Sequence, residues 1–391
     1  MALPLKGLRV IDLTKDFAGP FCTMILSDLG AEVIKVEKPG SGDETRAWGP
    51  PFVKGLSYYF LSLNRGKKSI TLDLKTPEAQ KIIRQLVKDS DILVESFRPG
   101  TLAQYNLDYS KLRRVNKALV YCSISGFGQT GPYRDRPGYD IVAFAMSGIM
   151  NTTGEKGRPS VRVSIPVADI AAGHYASTAI LACLSRRLVT GRGEYIDISL
   201  YDSIVSWLSY LATYYFATGK EPERMGSAHP SIVPYQAFSC RDRELIIAVG
   251  NDSQWQALCH TLGLERLLEQ KRFSTNPDRV RNRTNLIPIL SERLRTRPAS
   301  YWSRALNQQG VPSAPVYKIA DMVRDPQIKH RGLFRSVGSN IPQLISPIRV
   351  INDTQRPTNP APKLGRDTRK VLQELGYSKG SIQRLAEDGI T

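Results

Sequence analysis

The sequence predicts an α/β fold in which a mostly parallel sheet is covered by helices on both faces. Short β-type runs alternate with helical segments through roughly the first half of the chain. Helix starts are marked, as at Thr76-Pro77-Glu78-Ala79, where Thr76 caps and Pro77 fits the first turn. Loops rich in Gly or Pro follow the β-type runs, where such a sheet places its ligands.

Taken in order, residues 8–13 form a strand, Ala18-Gly19-Pro20 opens a helix running to about Leu29, and residues 32–36 form a second strand. The opening is Rossmann-like but lacks a G-x-G-x-x-G fingerprint, so a dinucleotide is not indicated. Residues 69–74, 92–97 and 118–124 are further strands, and after the turn Gly191-Arg192-Gly193 a strand at 195–199 leads into a long apolar helix from about Tyr201 to Phe216. The polar stretch from Gly219 to Gly226 reads as a boundary. A strand at 245–249 and helices at 252–264, 281–296 and 299–309 then make a smaller α+β unit. From about Asp325 long periodic runs are few until a helix near 367–375, with a Pro-rich crossing segment at Thr354 to Pro362. The expected division is a large domain at 1–220, a small α+β domain at 221–324, and a segment at 325–391 that returns to the large domain. The chain shows no internal repeat beyond the strand-helix alternation.

A chain of 391 residues is long for one compact domain, so two structural units are expected. Its 54 Lys and Arg against 36 Asp and Glu give a formal charge of +18, which calls for an anionic partner or a basic surface. The basic residues are scattered, with no basic arm or aromatic-interleaved motif, which points away from nucleic acid and fits a phosphorylated small ligand. Five cysteines without C-x-x-C spacing read as reduced thiols of a cytoplasmic protein. The four histidines are too far apart to suggest a metal site. The first residues carry neither a signal-peptide nor a transit-peptide pattern. The apolar region around Asp169, interrupted by Asp169 and His174 and followed by Arg186-Arg187, reads as too short and too polar for a membrane span.

Four post-strand loops are candidates for a pocket: Phe17-Ala18-Gly19-Pro20, Lys38 to Asp43, Ser96 to Gly100, and Ser125 to Pro132. Lys38, Arg98 and either Lys67 or Lys68 are candidates to face phosphates. Asp169 is an isolated carboxylate at the head of a small, apolar helix that Pro166 is suited to start. The helix field favours its ionised form by about 0.3–1 kcal/mol, which holds a carboxylate ready at neutral pH. Two readings stay open from the residues alone: a nucleophile, or a carboxylate that stabilises the helix end.

Taken together, Val10-Ile11-Asp12-Leu13-Thr14, Ala18-Gly19-Pro20, Asp28 to Glu37, Gly40-Ser41-Gly42-Asp43 with Thr45-Arg46, Asn64-Arg65, Lys67 to Ile70, Phe97-Arg98-Pro99-Gly100, Gly138-Tyr139-Asp140, Gly191-Arg192-Gly193 and Leu364-Gly365 resemble the family III CoA-transferases. That group also holds formyl-CoA transferase, carnitine CoA-transferase and α-methylacyl-CoA racemase. The resemblance implies a Rossmann-like large domain made from both chain ends, a smaller inserted domain, and a homodimer of interlocked rings. It places Asp169 on the catalytic aspartate, with coenzyme A or acyl-CoA as substrate, no permanently bound cofactor and no metal. By the same resemblance Phe17, Ala18, Lys38, Leu72 to Lys75, Ser96, Phe97, Arg98, and Arg136 to Tyr139 line the CoA site. Gln104 stands where formyl-CoA transferase has a CoA-binding arginine, and the glycine-rich loop of that enzyme is not visible.

The racemases carry Gly-His-Asp where this chain has Gly138-Tyr139-Asp140. An ordinary tyrosine, with a pKa of about 10, is a poor base near pH 7, which disfavours the alternative of a 2-methylacyl-CoA racemase or epimerase. Gly226 to Phe238 and Trp48 to Phe52 are most similar to the branch that passes CoA from succinyl-CoA to glutarate or related dicarboxylates. Arg46, Tyr139, His229 and Gln236 are candidates to recognise a substrate carboxylate.

Overall fold

The structure, a computed structural model, describes residues 3–53, 55–337, 341–349 and 359–391. The chain divides into two compact units, one of Met1–Met150, Arg162–Thr213 and Arg331–Thr391, the other of Asn151–Val161 and Tyr214–His330. The smaller unit thus begins before the expected residue 221 and also takes in a short segment just ahead of Asp169.

The larger unit is built on six parallel strands: β1 (Arg9–Leu13), β2 (Glu32–Glu37), β3 (Lys68–Thr71), β4 (Ile92–Glu95), β5 (Val120–Ser125) and β6 (Tyr195–Ser199). Their order is β3-β2-β1-β4-β5-β6, so the winding reverses between β1 and β4. A crevice opens at the carboxyl ends of strands at such a reversal. The strands bury both faces, as a parallel sheet requires. Val10, Val33, Val94 and Val120 pack with helices α1 (Ala18–Asp28), α4 (Asp140–Met146) and α5 (Val167–Thr190). Ile11, Ile34, Ile70 and Leu93 face α3 (Pro77–Lys88) and the C-terminal helices Thr368–Glu374 and Lys379–Glu387. Thr76 caps α3 by accepting the Ala79 N–H, with Pro77 at its start, as the sequence predicts.

Helix α5 carries Asp169 in its first turn and ends at Gly191, whose φ of 65° is the left-handed cap that favours glycine. Its 24 residues are long and apolar enough to cross a membrane, contrary to the sequence expectation. It is instead a core helix: Ala168, Ala171, Ala172, Ala176 and Ile180 are buried against α1 and the sheet. Gly173 brings the two helices close, since a Cβ there would lie 2.8 Å from the Ala18 carbonyl oxygen.

The predicted single helix from Tyr201 to Phe216 is broken. It runs as Leu200–Val205, a 3-10 turn, and Tyr210–Thr218, with Ser209 at φ 46° between them. The left-handed residue redirects the chain close to where it passes into the smaller unit. That unit pairs β7 (Tyr235–Ser239), β8 (Glu244–Ala248) and β9 (Ser313–Pro315) in an antiparallel sheet, with α6 (Asp252–Leu262), α7 (Arg283–Leu294) and α8 (Ala299–Gln308). The predicted crossing segment lies partly outside the described residues. From Asn359 the chain runs against β3, where Asp367 accepts the Ser69 N–H at 2.9 Å.

Candidate active site

The loop after β1 is fixed from below by buried ions. Lys35 Nζ donates to the Thr14 carbonyl at 2.7 Å and pairs with Asp43 at 2.8 Å. Lys67 Nζ donates to Asp12 at 3.0 Å, to the Pro20 carbonyl at 3.0 Å and to Asn64 at 2.9 Å. Burial alone would raise the Asp12 pKa, but Lys67 and Lys35 overrule it and hold the carboxyl well below the usual range. Lys67 is fully buried in this cluster, and Lys68 pairs with Glu32, so the expectation that one of them faces a phosphate does not hold.

On this base the chain turns at Asp16, whose φ of 68° is unusual for a residue other than glycine. Phe17 follows and forms an aromatic wall: its ring lies 5.8 Å from Tyr59 and 5.7 Å from Phe21, and Tyr59 lies 4.9 Å from Trp48. Tyr59 sits on α2 (Tyr58–Leu63). Burial and then the carboxylates of Asp169, Asp140 and Asp16 push its phenol well above the usual range, so it stays a hydrogen-bond donor.

At the start of α5 the helix-end N–H groups are met by a residue other than Asp169. Asp140 Oδ1 accepts the Ala168 N–H at 2.7 Å and the Asp169 N–H at 3.5 Å, so the helix end is capped from α4. Asp169 itself accepts no hydrogen bond from any described residue, and it pairs with no cation there. Burial first, then Asp140 and Asp16, push its carboxyl up to about 8. This runs against the expectation that the helix field keeps it ionised: burial and two like charges push the carboxyl the other way. Such shifts are found at functional sites and also in structural clusters of charge.

The Gly138-Tyr139-Asp140 motif acquires a structural meaning here. Gly126 and Gly138 touch backbone to backbone, since a Cβ on Gly126 would lie 2.8 Å from the Gly138 Cα, and the contact aims Asp140 at α5. Tyr139 is exposed.

The other expected residues fall into groups. Ser96 Oγ accepts the Lys15 N–H at 3.0 Å, joining the ends of β4 and β1 across the switch point beside Phe17 and the buried Ala18. Lys38 and Lys75 are exposed after β2 and β3, and Leu72 is buried with its N–H donating to the Glu37 carbonyl at 2.9 Å. Phe97 packs on the second core, and its N–H donates to Glu95 at 2.8 Å. Arg98 lines a cavity of about 250 Å3 with Glu95, Asp108, Tyr109, Tyr121 and Tyr195. Arg136 is exposed over the rings of Phe127 and Tyr133.

Arg46 does not fit its expected role. Its guanidinium is held in two hydrogen bonds of 2.7 Å by Glu37, donates to the Pro362 carbonyl at 3.2 Å and lies 3.8 Å from the Phe60 ring centre. It ties the C-terminal segment to β2. His229 and Gln236 belong to the smaller unit. There His229 Nδ1 accepts the Ser231 N–H at 3.1 Å, and Gln236 pairs with Ile247 in the sheet.

Asp16, Tyr59 and the capping role of Asp140 escape the sequence reading. Asp16 directly precedes a quoted loop, so extending that loop by one residue would have found it. The Asp140 contact spans 28 residues of sequence and leaves no local signal.

A profile of CoA-transferase family III matches residues 5–368. The succinyl-CoA:glutarate CoA-transferase of Mus musculus is 42% identical, covering 99% of this chain and 90% of that protein. The succinate–glutarate CoA-transferase of Agrobacterium fabrum is 42% identical over 95% of this chain and 96% of its own length. Among solved structures, a CaiB/BaiF family protein from Brucella suis superposes with a TM-score of 0.87 at 42% identity, covering 96% of this chain and all of the other. With the matched profile spanning most of its length, the chain belongs to CoA-transferase family III.

Proposed function

We propose that this protein moves CoA from a dicarboxyl-CoA such as succinyl-CoA to a carboxylic acid acceptor, with Asp169 as the nucleophile. The observation that carries the reading is the Asp169 carboxyl, partly buried at a helix start that another residue caps, with no partner of its own among the described residues. Full-length similarity to transferases named for succinyl-CoA and glutarate supports the substrate class.

In this reading the Asp169 carboxylate attacks the acyl-CoA carbonyl, the C–S bond breaks, and CoA leaves as thiolate from a mixed anhydride. The thiolate attacks the aspartyl carbonyl, releasing the donor acid and leaving an aspartyl-CoA thioester. The acceptor carboxylate attacks that thioester, and the thiolate then attacks the acceptor side of the new anhydride to regenerate Asp169. Each step exchanges one activated acyl bond for another, so no ATP or metal is required. The raised pKa makes Asp169 a stronger nucleophile once it loses its proton. The aromatic wall of Phe17, Tyr59 and Trp48 limits water, which would hydrolyse an anhydride.

Phe17, Ala18, Lys38, Leu72, Lys75, Ser96, Phe97, Arg98, Arg136 and Tyr139 serve as the CoA-binding set, with Tyr139, His229 and Gln236 toward the substrate carboxylates. The working form is an interlocked homodimer in the cytoplasm. The test is an acceptor screen with succinyl-CoA and a panel of mono- and dicarboxylates, read by mass spectrometry. New acyl-CoA from a dicarboxylate supports the reading. Proton exchange at a 2-methylacyl-CoA without any acceptor contradicts it.

A further inference from the structure

Asp16 has three properties that its place in the fold does not require. Its backbone is in the left-handed region at φ 68°, a conformation that costs a residue with a side chain and that recurs at functional sites. Its Oδ1 is buried with no hydrogen-bond partner among the described residues, which is unfavourable unless a ligand or an ordered water supplies a donor. It lies at the carboxyl end of β1, where the strand order reverses, and its charge acts on Asp169 and on Tyr59.

The neighbouring groups do not satisfy it. Lys15 turns to Glu44 at 2.6 Å, and Lys35 is held by Asp43 and the Thr14 carbonyl. Burial first, then the like charges of Asp43 and Glu44, outweigh the pull of Lys15 and Lys35 and raise the Asp16 carboxyl above its ordinary value. The site holding the nucleophile therefore contains a second carboxylate oxygen that seeks an N–H or O–H. It is fixed in place by the buried cluster below it and by the contact of Ala18 with Gly173 one turn beyond Asp169.

We propose that Asp16 is a substrate-contacting residue whose Oδ1 accepts a hydrogen bond from the amide N–H nearest the sulfur of the acyl-CoA arm. This rests on the CoA-transferase reading. That N–H is the first donor along the arm from the thioester that Asp169 attacks, and it is present in every acyl-CoA whatever its acyl group. The bond holds the thioester carbonyl in register with Asp169, and it replaces the missing partner of a buried oxygen.

The test pairs a change in the protein with a change of one atom in the substrate. Succinyl-CoA is compared with an analogue in which that amide N–H is replaced by an ester oxygen, using the native protein, Asp16→Gly and Asp16→Asn. Glycine adopts the left-handed backbone without strain, so Asp16→Gly removes the carboxylate and leaves the turn intact. Asn keeps an oxygen acceptor without charge and also tolerates the conformation.

The native protein is expected to prefer the amide by about tenfold to a hundredfold in kcat/KM, the effect of a hydrogen bond to a charged group. Asp16→Gly is expected to show less than about a twofold preference, and Asp16→Asn an intermediate one. Equal preference in the native protein and Asp16→Gly overturns the proposal, as does a loss in Asp16→Gly that is the same for both substrates, since that is a structural effect. If the native protein turns over neither substrate and binds neither, the CoA-transferase reading itself fails, and this inference fails with it.

Discussion

Two carboxylates in the larger unit, Asp12 and Asp169, both lose solvation in the fold, Asp12 wholly and Asp169 in part, and they differ in the charges around them. Asp12 is paired with Lys67, backed by Lys35, and accepts hydrogen bonds from Thr14 at 2.9 Å and Thr23 at 2.7 Å. Asp169 has two other carboxylates for neighbours and its carboxyl rises to about 8. Burial pushes both in the same direction, and the sign of the surrounding charge decides the outcome. The satisfied group is scaffold: it holds the loop that leads to Asp16 and Phe17. The unsatisfied group is the one proposed as the reagent, and its surroundings disfavour its charged form.

The largest effect expected from breaking this contrast is on the scaffold side. Lys67→Met removes the cation and leaves Asp12 buried and unpaired, and it should cost roughly 3–5 kcal/mol of stability, read by urea denaturation. A cost near zero would mean that the cluster is not what fixes the loop.

Removing the reagent's charge should do the opposite. Asp169 has a folded pKa of about 8 against an ordinary value of 3.8, so between these values the folded protein holds a proton that the unfolded chain lacks. The wild type therefore has this contribution in full below about pH 4 and loses it as the pH rises through 8. Asp169→Asn carries no such titration, and at pH 9 it should be more stable than wild type by roughly 1–3 kcal/mol, with the difference shrinking toward pH 4. Thermal melts at the two pH values measure it, and a pH-independent difference would contradict the shift.

The same proton gives a kinetic prediction of smaller size. As the proposed nucleophile Asp169 would attack only when ionised, so kcat/KM for acyl-CoA should rise with pH, about tenfold per unit on the acid side, and level off above a midpoint near 8. A midpoint near 4 would show that the carboxylate is ionised in the free enzyme and would return Asp169 to the class of Asp12.

The strand-helix opening was legible because a parallel sheet announces itself locally, through β-branched runs and through caps such as Thr76-Pro77. Asp169 was legible as a lone acid in an apolar helix. Its protonation was not, because desolvation and the Asp140 and Asp16 charges arise from segments far apart in sequence. The roles of Arg46, Lys67 and Lys68 were hidden for the same reason: a basic residue near a ligand loop looks available until Glu37, Asp12 and Glu32 are placed against it. The break at Ser209 had no signal of its own, since serine is not a residue that marks a left-handed turn.

The claim that Asp169 carries the acyl transfer is tested most directly by trapping the enzyme in mid-reaction. The protein is incubated with succinyl-CoA alone, treated with hydroxylamine, digested and analysed by mass spectrometry. The account predicts a hydroxamate at Asp169 and nowhere else, and none when Asp169→Asn is treated in the same way. Modification at another residue, or acceptor turnover retained by Asp169→Asn, would contradict it.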